Sequence, residues 1–332
     1  MGPADDRNLG TDQVGVLGFE ARGRNRVGPT MTATVIRKAG ATRPGAITRF
    51  LHRNEGWRGY MLLAPALILM AAAILFPLGM TLAMSTWSLD GYDLNQTPGM
   101  GNYATIVENP MFRVLLLRTL TISLSCTFFT VLLCYPMAYF VAFHTHRNKA
   151  LWLMIMTLPF WTSYLLRVFA WKVVLGYEGV LNTALMDLGI VSEPVTALLY
   201  SQTAVTIVLA HSWAAFAILP IYVSLEKINR SYLEAAADLG DSPTRRFWRI
   251  TFPLSVPGVV AAFVMMFVPT MGEYITPALV GGPDGMMVGN LVQAMFGPMN
   301  NWPAGAALAV VLMLTIALAG VVFVLLNKLV QR

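Results

Sequence analysis

Few side chains able to do chemistry lie inside the long apolar stretches of this 332-residue chain. Glu273 sits near the end of one stretch, with Tyr274 beside it. Arg167 and Lys172 lie in another, among Trp161, Tyr164, Phe169 and Trp171, and His211 lies in a third. An ionisable group in such a setting is costly unless it faces a cavity, a pairing group or a ligand. A carboxylate next to a phenol ring suits a cation, because the ring face adds cation–π attraction. Two readings of Glu273 stand: a contact on a substrate path, or a structural acid paired with Arg167 or bonded to backbone. The aromatics either line a cation route or anchor span ends. His211 either bonds across helices or lines a pathway. Arg167 and Lys172 repel a polycation unless neutralised; they hold the bundle or a gate, or they mark an anionic or zwitterionic substrate.

Other reactive constellations do not form. No Lys follows a Gly, so the Gly-Lys of a phosphate-binding loop is missing, and neither HExxH nor GxSxG occurs. His144 and His146 flank one threonine in a basic loop, which reads as solvated rather than metal-binding. Cys126 and Cys134 lie eight apart in one apolar stretch. On one helix that is about 12 Å of rise, too far for a disulfide. No enzyme, metal or cofactor of its own is expected for this chain.

The elements that position these residues are membrane spans. Charged residues make up 12% and hydrophobic ones 56%, against roughly 25% charged in a soluble domain. Six apolar blocks stand out, at about 60–86, 114–143, 150–175, 195–223, 254–280 and 304–327. Most exceed the roughly 20 residues that cross a bilayer as helix, and their continuous Leu, Ala, Val and Met content argues against a β-barrel. The expected fold is an all-α polytopic membrane protein with six transmembrane helices. Of the 23 Lys and Arg, 19 fall in the 1–59 tail, the 144–149 and 224–253 loops and the C-terminus. The intervening segments 87–112, 176–194 and 281–303 hold none, but seven acids. The positive-inside rule then places both termini in the cytoplasm. The net charge of +6 follows from that asymmetry and gives no indication of nucleic-acid binding. Residues 1–57 are polar, lack an apolar signal core and read as a disordered cytoplasmic tail.

The loop at about 226–253 reads as two short helices. Ser231 and Glu234 have capping-box spacing, and Gly240 stands where a helix-ending glycine belongs. Ser242-Pro243 opens a second helix, and Pro253 leads into the next span. Ala235, Ala236 and Ala237 leave a surface that another backbone can approach closely.

This loop resembles the coupling loop of ABC importer permeases: Glu-Ala-Ala, three residues, Gly, nine residues, Ile, one residue, Leu-Pro. The matching positions are Glu234, Ala235, Ala236, Gly240, Ile250 and Pro253, with Phe252 in place of the Leu. The resemblance covers about residues 58–330. It implies a binding-protein-dependent, type I importer bundle of the MetI-like kind in the bacterial inner membrane, with the loop's first helix docking on a cytoplasmic ATPase. ATP would be bound by that ATPase dimer. A second permease subunit would complete the pore, a periplasmic binding protein would deliver substrate, and lipid would surround the spans. Three further segments look like the spermidine/putrescine subgroup: LPFWTSYLLRVFAWKVVLG with Asn182 after it, GEYITPALVGGP, and MMVGNLVQAMFGPMNNWPAGAALA. The substrate path would then include Glu273, Tyr274, Arg167, Tyr164 and Trp171. Importers of other small organic ions, such as opines or aminoethylphosphonate, share the subgroup. A self-contained secondary transporter is the alternative of another class.

Overall fold

The computed structural model describes residues 55–330 apart from Tyr92 and His146. Most of the expected 1–57 tail, and the His144/His146 pair as a pair, therefore lie outside the described residues. Two compact units divide after Pro65. The described part of the first is the start of α1 (Glu55–Met84); residues 55–57 are thus helical rather than tail. From Ala66 onward α1 is apolar and nearly all exposed, as suits a helix whose solvent is hydrocarbon or another protein.

Within the second unit an antiparallel hairpin, β1 (Ser88–Asp90) and β2 (Asp93–Asn95), precedes α2 (Gly101–Glu108). The Asn102 carboxamide ties α2 back by donating to the carbonyls of Ser85 and Trp87. α3 (Pro110–Tyr139) starts on the Asn109 cap with proline in its first turn, where a missing N–H costs nothing. It ends in a π-turn, Phe140–His144.

α7 (Gln202–Glu226) is the central element, packed against both α3 and α10 (Phe252–Met271), which also pack against each other. Small and hydroxyl residues let these helices approach. Thr127 and Thr130 on α3 are buried and return their hydroxyls to their own helix, at the Ser123 and Cys126 carbonyls. Gly258 of α10 lies so close to α7 that a Cβ there would collide with Ser224 and the Pro220 carbonyl. Association without a hydrophobic drive depends on such close backbone packing.

The third apolar block is not one continuous helix. It divides into α4 (Lys149–Thr157) with a 3-10 turn, Leu158–Trp161, and α5 (Tyr164–Val174), bent by 85°. Pro159 brings no N–H and Ser163 is extended, with ψ 133°, so the helical ladder stops there. The fifth block also ends early. α10 stops at Met271, a turn at Gly272–Tyr274 follows, and a π-turn spans Pro277–Gly281. α6 (Val180–Asp187), α11 (Gly282–Gly285), α12 (Val288–Phe296) and α13 (Trp302–Val330) complete the unit. Among the described residues five helices are long and apolar enough to cross a membrane, and the bent pair makes six when it crosses as one span.

Candidate functional site

Between α7 and α10 the chain forms α8 (Arg230–Asp238) and α9 (Pro243–Arg246), which runs through the π-turn Phe247–Thr251 into α10. The expected capping box is replaced. Asn229, extended two residues before Ser231, accepts the Ser231 N–H at 3.1 Å. Ser231 therefore lies inside the first turn, and Glu234 is exposed rather than folded back. The other end follows the local signal. Gly240 adopts φ +85°, its N–H donates to the Ala237 carbonyl and that of Asp241 to Ala236. These two bonds form a Schellman motif. Ser242 accepts from the Arg245 N–H, with Pro243 in the first turn.

Three sets of contacts hold this pair of helices. Arg246 donates to the Leu233 carbonyl, joining α9 to α8 at 3.3 Å. Asp241 pairs with Arg245 and Arg249 at 3.5 and 3.4 Å, exposed contacts worth at most about 1 kcal/mol each. The Ala142 carbonyl at the end of α3 receives both Arg230 and Lys149, and Lys149 also pairs with Glu226 at 2.9 Å. Of the motif positions that lead into α10, Ile250 is half-buried and Pro253 exposed. Aromatic packing anchors the second helix: Phe247 meets Tyr135, Tyr139 and Phe252 at 5.8, 5.9 and 6.2 Å between centroids. Of the alanines, Ala236 faces inward, whereas Glu234, Ala235, Ala237 and Leu239 are exposed.

The second constellation lies where α5 meets the turn after α10. Arg167 is 8% exposed, yet no carboxylate pairs with it among the described residues. Its guanidinium donates to the carbonyls of Phe160 and Thr162 at 3.1 and 3.0 Å, and to Ser212 of α7 at 3.2 Å. Those first two carbonyls are ones that the break leaves without helical donors. A buried cation is thus compensated by carbonyl dipoles, and Arg167 fastens the break to α7. Glu273, 9% exposed, likewise turns to backbone: its Oε1 accepts the N–H groups of Ile275 and Thr276 at 2.9 and 3.3 Å. Of the readings left open, backbone bonding replaces the Arg167 pair. Tyr164 links the two halves, its hydroxyl 2.6 Å from Thr276 Oγ1.

The remaining expected residues scatter. Tyr274 is 43% exposed, and its carbonyl accepts from Asn290 at 2.7 Å. Trp171 turns away from this cluster, its indole N–H donating to His211 Nδ1 at 3.1 Å, so His211 bonds across helices. Lys172 lies over the Tyr200 ring at 5.8 Å. Trp161 is 81% exposed and Phe169 47%. Asn182 is buried and bridges Gly176 to Val195. Sequence reading missed Thr276, Asn290 and Asn229, whose roles depend on backbone groups that a span break or loop leaves open.

A cavity of about 1020 Å³ lies between α3, α4 and α7. Phe129, Trp152, Phe160 and Trp171 stand in its wall, Gln202, Thr206 and His211 are among its polar residues, and no carboxylate lines it. Cys126 and Cys134 are buried free thiols, and among the described residues no group of three or more His, Cys, Asp or Glu is arranged to hold a metal. The geometry fits a transmembrane bundle with a short, exposed helix outside the spans.

Comparison with known proteins agrees with that geometry. Residues 116–332 match the family described as "Binding-protein-dependent transport system inner membrane component". The chain is 35% identical over 259 residues to the spermidine/putrescine transport system permease protein PotB of Haemophilus influenzae, covering 78% of this chain and 90% of that one. It is 31% identical over 303 residues to the inner membrane ABC transporter permease protein YdcU of Escherichia coli, covering 87% and 96%. In fold it is similar to a bacterial alginate ABC transporter solved with an alginate pentasaccharide-bound periplasmic protein, with TM-score 0.68, 16% identity and coverage of 86% and 98%. The chain belongs to the inner membrane components of binding-protein-dependent transport systems, the permeases of ABC importers.

Proposed function

We propose that this chain forms half of a translocation pore driven by a separate ATPase dimer, and that its cargo is a polyamine of the spermidine/putrescine class. The observation that carries the coupling role is α8. It is a nine-residue helix with both ends capped, exposed on Glu234, Ala235 and Ala237, and tied back to α3 and α9. A helix so fastened passes on a displacement instead of absorbing it. We assign Glu234, Ala235 and Gly240 to the ATPase contact, Ala236 to packing beneath it, and Ile250 and Pro253 to the passage into α10.

The polyamine assignment is supported by the likeness to the PotB proteins of Haemophilus influenzae and Escherichia coli, 35% and 33% identical. The structure supplies an argument about charge rather than a carboxylate ligand. Arg167 is occupied by carbonyls, so its charge is less of an obstacle to a cation than the sequence suggests. Glu273 is occupied by backbone, so Tyr274, Tyr164 and Trp171 are left as the aromatic surfaces for a cation–π route. A second permease subunit would complete the path, and a periplasmic binding protein would deliver the substrate on the side of the acidic loops. Both termini and α8 would lie in the cytoplasm. ATP binding would draw the coupling helices together and open the bundle outward, and hydrolysis would reset it.

Co-expression of the chain with its ATPase, second permease and binding protein tests this reading through ATP-dependent uptake of labelled spermidine and putrescine. Opines and aminoethylphosphonate serve as competitors. Uptake blocked by those competitors and not by polyamines would overturn the cargo. Uptake driven by an ion gradient in the purified chain alone would overturn the importer reading.

A further inference from the structure

A second groove, about 570 Å³ in volume, lies beneath the start of the coupling helix. Its walls are two helical stripes. Pro220, Val223, Ser224 and Lys227 follow one face of α7, and Leu254, Pro257, Gly258 and Ala261 follow one face of α10. Both stripes have i, i+3, i+4, i+7 spacing, which keeps residues on one side of a helix. The α7–α10 contact at Gly258 closes the floor of the groove, and the small side chain of exposed Ala261 leaves room above it. From Pro220 to Lys227 the groove runs about 10 Å along the helix axis.

The groove is graded in polarity. Its deep end is Pro220, Val223 and Ala261; its mouth is Lys227, Asn229 and Tyr232. Lys227 is exposed and its ammonium makes no hydrogen bond or ion pair among the described residues, unlike that of Lys149, which pairs with Glu226. No carboxylate lines the groove. An apolar slot that opens on an unpaired ammonium and a phenol hydroxyl matches a molecule with an acyl chain and a phosphate. We propose that this groove binds an anionic phospholipid, with the phosphate at Lys227 and Tyr232 and the acyl chain between α7 and α10. The site rests on the orientation proposed above, which puts Lys227 at the cytoplasmic surface, where anionic headgroups attract basic side chains. A lipid there touches both the root of α8, at Asn229 and Tyr232, and the first turns of α10, so its occupancy braces the coupling helix.

The test uses the assembled importer in nanodiscs of phosphatidylcholine with 0 or 20% phosphatidylglycerol, a fraction of which carries a photoreactive acyl chain. Labelled peptides are mapped, and ATP hydrolysis and polyamine uptake in matched vesicles are measured alongside. Labelling is expected at Val223 and between Leu254 and Ala261. Lys227→Gln is expected to lower it about fivefold, and Ala261→Trp to block it by filling the slot. Both substitutions are at exposed positions, so the chain should fold. ATP hydrolysis should rise with phosphatidylglycerol in the wild type and respond less in both variants. Labelling elsewhere, or equal labelling in Lys227→Gln, overturns the site. A photocrosslinker at Val223 that captures the second permease subunit overturns it too, and assigns the groove to a subunit interface. Loss of polyamine uptake with labelling intact would count against the proposed cargo and leave the lipid site standing.

Discussion

The Arg167 guanidinium on α5 donates to the Ser212 carbonyl on α7 at 3.2 Å, 45 residues away in sequence. The same side chain satisfies two carbonyls at the break in the third span. One cation therefore ties the broken third span to α7.

Arg167→Met should break that tie. It removes charge-assisted bonds and leaves buried carbonyls open, so a loss of about 2–4 kcal/mol is expected. A thermal melt in detergent should register it, and Arg167→Lys should fall between, because a single ammonium cannot reproduce the planar fork. A variant Arg167→Met with wild-type melting and reduced uptake would instead place Arg167 on the substrate path.

Glu273→Gln separates the two roles of that acid. The glutamine oxygen can still accept the Ile275 and Thr276 N–H groups, so stability should fall by no more than about 1 kcal/mol and most uptake should remain. Glu273→Leu removes the acceptor and should cost about 1–2 kcal/mol. A raised KM for the cation in Glu273→Gln at unchanged stability would show that the carboxylate charge itself meets the substrate.

The start of α8 offers a cleaner contrast. Asn229→Ala should destabilise the helix by about 1 kcal/mol, visible as faster hydrogen exchange over 230–238. Ser231→Ala should leave it nearly unchanged. The reverse order would restore the Ser231 capping box.

Gly240→Ala forces a side chain into φ +85°, at a cost of about 1 kcal/mol or more. Because Gly240 sets the angle between α8 and α9, weakened co-purification of the ATPase is expected. Glu234→Ala should do the same without altering hydrogen exchange in α8, since the side chain is exposed. Full ATPase retention in both variants would remove α8 from the docking surface.

Gly258→Val addresses packing alone. Its side chain would meet Ser224 and the Pro220 carbonyl, so a loss of about 1–3 kcal/mol is expected, read as a lower melting temperature with less protein recovered from the membrane.

What the chain wrote locally was legible without the fold. The apolar blocks read as spans because length and composition decide what hydrocarbon accepts. Gly240 and Ser242-Pro243 announced a turn and a helix start because a left-handed position and a capped first turn need only neighbouring residues. The spacing from Glu234 to Pro253 pointed to the permease family that residues 116–332 match. Tertiary structure decided the rest. Pro159 marked a weak point in the third span, but the 85° bend persists because Arg167 finds a carbonyl on α7. Glu273 left a substrate contact, an Arg167 pair and backbone bonding all open, and the end of α10 leaves N–H groups free for it two and three residues on. Asn229 displaced Ser231 as cap because α7 runs on to Glu226 and brings the loop in extended. In each case a polar side chain took the backbone groups that a break exposed. Which groups those are depends on where packed helices stop, and periodicity within one segment does not contain that information.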